Sequence, residues 1–119
     1  DRAMAEADSQ TPKTPGKGES FFKRAAEVAE TGNWDFALEM YVEGITREPD
    51  NLERGHKPLR DVALKRKSQG GKGPTMKDNF SRRPGKDHLQ NFINATYLLA
   101  KEPGSLELMD RMLKSAIAL

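Results

Sequence analysis

Few side chains in this sequence are suited to bond-making chemistry. The 119 residues include two histidines, His56 and His88, and no cysteine. The absence of cysteine excludes thiol nucleophiles, zinc–thiolate sites and disulfides, and two histidines cannot supply a three-histidine metal site. A serine triad needs a histidine base and an orienting carboxylate around an exposed serine. Both histidines stand in polar helix starts, and no serine has a nucleophile-elbow setting.

Two further patterns are weak candidates for chemistry. Residues 70–73 read GGKG, but a phosphate-binding loop needs G-x-x-x-x-G-K-[ST] after a strand. Glu27 and Glu30 are three residues apart on one helix face, where solvated carboxylates are common. We therefore expect no catalytic residues, no cofactor and no metal site, and we predict that the protein is not an enzyme.

Charge is distributed unevenly along the chain. The net charge is +2, from 20 Lys and Arg against 18 Asp and Glu. Residues 1–50 have a balance of −5, residues 51–87 of +7, and residues 88–119 of zero. The small net charge argues against an obvious nucleic-acid binder, but the middle of the chain is strongly basic.

The hydrophobic pattern indicates an all-α protein. Apolar residues recur at helical spacing in five segments, while no run alternates long enough for a strand. The predicted helices cover residues 20–31, 34–47, 51–67, 88–101 and 105–118. The fourth is apolar on most faces, which is typical of a helix between neighbours. In the last, Leu106, Met109, Leu113 and Ala116 form one stripe, with Met112 beside it.

Two segments have little to bury. Residues 1–18 contain prolines and glycines and one large apolar residue, Met4, so we expect a disordered tail. Residues 68–87 contain four glycines, two prolines and five basic residues, and only Met76 and Phe80 have side chains suited to packing. We predict an extended loop there.

A short motif occurs twice in the chain. Residues 47–53 read REPDNLE and residues 101–107 read KEPGSLE, and each copy joins the end of one helix to the start of the next. Such a recurrence indicates a structural repeat. The first copy follows Ala37, Tyr41 and Gly44, which stand behind the turn GNWD at 32–35.

The spacing of Ala37, Tyr41, Gly44 and Pro49 resembles the tetratricopeptide repeat (TPR) family. The resemblance implies antiparallel helix hairpins in a right-handed stack of about five helices over residues 19–119. Residues 20–50 would form the first repeat. The second would cover 51–103, with its internal turn expanded into the loop 68–87, and 105–118 would cap the stack or begin another repeat.

The resemblance also implies a function. TPR stacks bind a peptide or helix of another protein in a groove lined by the first helix of each repeat. We therefore predict a non-catalytic interaction scaffold with an acidic or amphipathic protein partner. The residues expected in its groove are Phe22, Ala26, His56, Lys57, Arg60 and Leu64.

The basic segment offers an alternative function, which is binding of nucleic acid or another polyanion. The side chains that would contact phosphates are Lys65, Arg66, Lys67, Lys72, Lys77, Arg82, Arg83 and Lys86. Phe80 is the only aromatic residue nearby, so base stacking has little support. No stretch approaches the length of a membrane helix and no secretory signal is visible, so we expect a cytoplasmic protein. Self-association would cover apolar faces left open by fewer than three repeats.

Overall fold

The computed structural model describes residues 16–119, and all of the regular structure in that range is helical. Residues 16–119 form six α-helices and one π-helical turn. Their bounds are α1 Glu19–Glu30, α2 Trp34–Arg47, the π-helical turn Leu52–His56, α3 Lys57–Ser68, α4 Met76–Ser81, α5 His88–Lys101 and α6 Leu106–Ala118. The all-α prediction is confirmed for these residues. The tail predicted for 1–18 lies outside them except for Gly16–Gly18.

Polar side chains cap the N-terminal ends of several helices. The Asn33 side chain accepts a hydrogen bond from the Phe36 backbone N–H, and the Ser105 hydroxyl accepts one from Leu108. The Asp87 carboxylate accepts from the N–H groups of Leu89 and Gln90. These caps satisfy backbone donors that have no partner within the helix. They explain why the predicted bounds of α2, α5 and α6 agree with the structure to within one residue.

The α1–α2 hairpin packs through small residues. Ala25 of α1 and Ala37 of α2 are fully buried, and Gly32, with a φ of +81°, makes the turn between the helices. The Phe22 ring of α1 is buried against Gly44 of α2, where a Cβ atom would clash with the ring. The same ring also meets Gly55, where a Cβ atom would lie 3.2 Å from Cε1 of Phe22.

The π-helical turn and α3 run antiparallel to α2. At one end, Gly55 packs on Ile45 near the end of α2. At the other end, Arg66 of α3 donates a hydrogen bond from Nε to Oδ1 of Asp35, in the first turn of α2. The three helices α1, α2 and α3 therefore form a continuous up–down–up layer, whose core includes Leu38, Ile45 and Val62.

Helices α3 and α5 run in the same direction, which corrects the prediction of an antiparallel hairpin over residues 51–103. His56, beside the start of α3, packs on Phe92 near the start of α5, with ring centroids 5.5 Å apart. Lys67, near the end of α3, forms a salt bridge with Glu102 just after α5. Two antiparallel helices would pair start with end instead.

The path of residues 69–87 accounts for the parallel direction of α3 and α5, because this segment lies along α5 and runs antiparallel to it. Gly73 lies beside Glu102, Asp78 beside Lys101, and Arg82 beside Asn94, so the segment passes the end of α5 first. We call residues 69–87 the return segment. The predicted extended loop thus contains a short helix, α4. Met76 and Phe80, the two side chains suited to packing, are 91 % and 68 % exposed.

The last helix forms a short hairpin with α5. Leu108 of α6 is buried and Met112 packs at the edge of the core. The stripe that the sequence predicts as the apolar face is mostly turned outward: Leu106, Leu113 and Ala116 are exposed and Met109 is half-buried. Ile117, near the end of the helix, is also exposed.

Candidate functional site: a cleft between three helices

An open, mainly apolar cleft lies where α3, α5 and α6 meet. Its volume is about 180 Å³, and a dry apolar cavity of about 150 Å³ accepts a benzene-sized molecule. The cleft is therefore large enough for one apolar side chain of a partner. Its walls are formed by His56, Leu59, Arg60, Ala63, Thr96, Leu99, Ala100 and Met112.

The position of His56 is set by two contacts from different elements. Its Nε2 lies 2.6 Å from the carbonyl oxygen of Pro49. Because a carbonyl oxygen can only accept, Nε2 is the donor and carries the proton. The ring also meets Phe92 of α5 edge to face. His56 is thus held at one end of the cleft by the proline turn on one side and by α5 on the other.

Arg60 supplies the positive charge of the cleft. It projects from the first turns of α3, and its Nη1 donates a hydrogen bond to the Pro103 carbonyl oxygen at 3.0 Å. The residue remains exposed, so its guanidinium lies at the rim with further donors in the rigid fork that matches a carboxylate.

The structure brings together two of the six residues predicted for a binding groove, His56 and Arg60. Phe22 has to be corrected: it is 1 % exposed, because glycines at 44 and 55 open a space for its ring inside the core. Ala26 is exposed on α1. Lys57 is exposed and forms a salt bridge with Glu53 at 2.6 Å. Leu64 is 47 % exposed and does not line the cleft.

The cleft residues of α5 and α6 were missed because the sequence does not show how these helices are placed relative to α3. Thr96, Leu99 and Ala100 come from α5, and Met112 comes from α6. One signal was present: an α5 that is apolar nearly all round must contact neighbours on several sides. Met112 also stood beside the stripe of α6 rather than on it.

The basic residues predicted to contact phosphates do not form one continuous patch. Arg66 has to be corrected, because it is 8 % exposed and its Nε is 2.6 Å from Asp35 Oδ1. Its Nη1 is buried without a hydrogen-bond partner among residues 16–119. Lys65 lies over the Trp34 ring, and Lys67 is paired with Glu102 at 3.1 Å.

The cations of the return segment are divided between contacts and solvent. The Arg82 guanidinium stacks over the Tyr97 ring at 4.3 Å and donates to Asn94 Oδ1. Arg83 stacks over the exposed Phe80 ring at 4.1 Å. Exposed lysines complete the set: Lys72, Lys77 and Lys86.

A partly buried ion pair fastens α4 to α5. Lys101 Nζ lies 3.0 Å from Asp78 Oδ2, and the two side chains are 19 % and 18 % exposed. Burial acts to raise the pKa of Asp78, but hydrogen bonds from Thr75 and the charge and hydrogen bond of Lys101 outweigh it and leave this pKa below its ordinary value. Burial acts to lower the pKa of Lys101, and its contacts with Tyr97 and Asp78 leave that pKa raised.

The part of the chain that the structure describes has neither a metal-binding cluster nor a membrane-spanning helix. Across residues 16–119, no three His, Asp or Glu side chains are grouped closely enough to hold a metal ion. No helix in the same range has both the length and the apolar character needed to cross a bilayer. Comparisons with protein-family models, curated proteins and solved structures find no match to this chain.

Proposed function

We propose that this protein is a non-catalytic interaction module that binds an acidic, amphipathic segment of a partner protein in the cleft between α3, α5 and α6. The observation that carries the proposal is the combination of an apolar cleft of about 180 Å³ with the exposed guanidinium of Arg60 at its rim. An apolar anchor in a pocket with a charged contact beside it is the usual arrangement of a binding hot spot.

The chemistry of the partner follows from these walls. Leu59, Leu99 and Met112 offer apolar surface, and methionine adapts its shape to different side chains. Arg60 favours a carboxylate, because its donors can engage both oxygens. The matching ligand is a helix or peptide with a Leu-sized anchor and an Asp or Glu about one helical turn away.

The TPR-like part of the proposal concerns residues 20–51. The support comes from the packing of that unit: Ala37 has no exposed surface and Tyr41 is 4 % exposed, as expected for a small residue and an aromatic between two hairpin helices. The second copy of the proline motif, residues 101–107, joins α5 to α6, as the first copy, residues 47–53, joins α2 to the π-helical turn.

The test is selection from a displayed library of peptides that combine one aliphatic residue with acidic residues at varied spacing. The proposal predicts a consensus with an aliphatic anchor and a carboxylate one turn apart. Binding of the selected peptide is then measured by fluorescence anisotropy. Arg60→Glu and Met112→Glu should each weaken it at least about tenfold, equivalent to about 1.4 kcal/mol.

Arg24→Glu is the matched control, since Arg24 is an exposed arginine on α1, which contributes nothing to the cleft. It should change the affinity by less than about twofold. Failure to select any acidic amphipathic peptide, or a selected peptide equally sensitive to Arg24→Glu and Arg60→Glu, would contradict the proposal.

Polyanion binding is the alternative, now reduced to the exposed Lys72, Lys77, Arg83 and Lys86. Titration with a labelled oligonucleotide at two salt concentrations separates it from the first proposal. A polyanion site should weaken steeply as salt increases, and it should survive Met112→Glu. No binding at low salt would exclude it.

A further inference from the structure

A second candidate surface lies on the outer face of α6. Leu106, Leu113 and Ile117 are 79 %, 59 % and 76 % exposed within the part of the chain that the structure describes. At 3.6 residues per turn, these three side chains fall on one stripe, together with Met109 and Ala116. Large apolar side chains collected on one exposed stripe mark an interaction surface.

A charged pair follows one edge of this stripe. Lys114 Nζ and Asp110 Oδ2 are 2.9 Å apart, and both side chains are largely exposed, at 75 % and 56 %. The acidic member is nearer the start of the helix and the basic member nearer its end. A partner helix lying antiparallel along the stripe would therefore place a cation beside Asp110 and an anion beside Lys114.

A second copy of α6, lying antiparallel to the first, has its own Lys114 and Asp110 in the order that this contact requires. In a two-fold symmetric contact, residue i of one copy meets residue j of the other, and j meets i. The stripe runs from Leu106 to Ile117, so its centre lies between positions 111 and 112, and the centre of Asp110 and Lys114 is position 112. One two-fold axis near position 112 therefore superposes stripe on stripe and also places Asp110 of each copy opposite Lys114 of the other.

We infer that two copies of this chain associate through antiparallel pairing of their α6 helices. Apolar contact along the stripe would supply the attraction, and the two Asp110–Lys114 pairs across the axis would set the antiparallel register. A helix of 13 residues spans about 20 Å, so this interface is small and the dimer should be weak and concentration-dependent. The contact is separate from the binding of a partner in the cleft.

Sedimentation velocity from about 10 µM to about 1 mM, the range of weak association, tests the pairing. The wild-type chain should shift from monomer to dimer across this range. Leu113→Asp should remove the shift. Leu52→Asp is the matched control, because Leu52 is 58 % exposed, close to the 59 % of Leu113, and lies in the π-helical turn; this variant should dimerise like the wild type.

Charge reversal tests the register. Asp110→Lys alone and Lys114→Asp alone each give like charges across the axis and should dimerise at least about tenfold more weakly. Mixing these two variants in equal amounts restores opposite charges in the mixed dimer and should restore association. The mixture separates pairing between chains from the pair within each helix, which stays broken in both variants.

A wild-type chain that stays monomeric to about 1 mM overturns the inference, as does a Leu113→Asp variant that still dimerises. Failure of the mixture to associate overturns the antiparallel register. A monomeric chain whose peptide binding depends on Leu113 would instead assign the stripe to the partner. Circular dichroism of each variant verifies that α6 and the other helices are retained.

Discussion

The α1–α2 hairpin and the return segment each contain a phenylalanine, and the two rings have opposite environments. Phe22 is 1 % exposed and fits between Gly44 and Gly55, whereas Phe80 is 68 % exposed and is covered on one face by Arg83. The hairpin is held by apolar burial over small residues. The return segment is held by polar contacts, above all the capping box of Thr75 and Asp78 and the pair of Asp78 with Lys101.

The chain therefore combines two kinds of stabilisation, apolar packing in the hairpin and polar contacts in the return segment. Apolar packing depends on shape and is nearly independent of pH, so the hairpin should respond mainly to changes of volume. Ion pairs depend on the protonation of both partners, so the return segment should respond to pH and charge. Because the return segment sets the direction of α5, its polar contacts also help to place the α5 wall of the cleft.

Truncation of the two phenylalanines should separate the two regions most strongly. Phe22→Ala should lower the free energy of unfolding by about 3–5 kcal/mol, because it leaves a cavity in the core. Phe80→Ala removes an exposed ring and should cost at most about 0.5 kcal/mol. Urea denaturation followed by circular dichroism measures both. Similar losses for the two variants would remove the contrast between the regions.

A smaller effect is expected from adding one carbon at Gly44. Alanine is favoured over glycine inside a helix by about 1 kcal/mol, but a Cβ atom here would clash with the Phe22 ring. Gly44→Ala should therefore destabilise the protein by about 1–3 kcal/mol. Gly104→Ala is the control, since its Cβ would meet nothing within 4 Å; it should be neutral or stabilising by up to about 1 kcal/mol. Equal midpoints in urea for the two variants would argue against tight packing at Gly44.

Asp78→Asn tests the polar contacts that hold the return segment. At pH 7 it should cost about 1–2 kcal/mol, the range of a charge-assisted hydrogen bond, and it should speed amide hydrogen exchange in α4 far more than in α1 and α2. Exchange that increases equally in all three helices would show that the return segment is not held separately.

The same variant has a pH dependence of known sign. The folded-state pKa of Asp78 lies below its ordinary value of 3.8. Its contribution to stability is therefore complete above that value and is lost as the pH falls through the lower, folded-state pKa. The stability difference between wild type and Asp78→Asn should shrink on acidification below about pH 4. Urea titrations at a series of pH values measure it, and a difference that grows with acid would contradict the assignment.

The smallest effect is expected at the surface pair that joins the ends of α3 and α5. Lys67→Gln removes the salt bridge to Glu102 and should cost at most about 0.5 kcal/mol, because both side chains are substantially exposed. The loss should disappear in about 1 M salt, where the screening length is about 3 Å. Lys72→Gln, at an exposed lysine, should show no loss at either salt concentration. A larger loss at high salt would indicate a packing role for the Lys67 stem.

The individual helices were predictable and their mutual arrangement was only partly so. Gly32, Pro49, Asp87 and Ser105 mark helix ends through local backbone chemistry, which acts within a few residues and can be read directly. Helix α4 was missed because its apolar residues, Met76 and Phe80, do not enter the core, so no periodic burial pattern indicated it. Its capping box, Thr75 with Asp78, was the available signal.

For the candidate site too, contacts between elements that are distant in the sequence were not predicted. His56 and Arg60 were expected in the groove from the TPR resemblance, and both lie on the cleft wall formed by the π-helical turn and α3. Phe22 was misplaced because its burial depends on glycines in two other elements, α2 and the π-helical turn. Arg66 was misplaced because its partner, Asp35, is 31 positions away along the chain.

Hydrophobic period, glycine and proline positions and short turns act over a few residues, so they were enough to predict the helical class and the positions of five helices. That α3 and α5 run in the same direction, which faces of α6 are buried, and where the cleft lies became known only from the packing of the helices. The 19-residue return segment between α3 and α5 accounts for this. A short turn forces two helices to be antiparallel, but a long connection permits either direction, and the contacts of Asp78, Arg82 and Lys101 then select one.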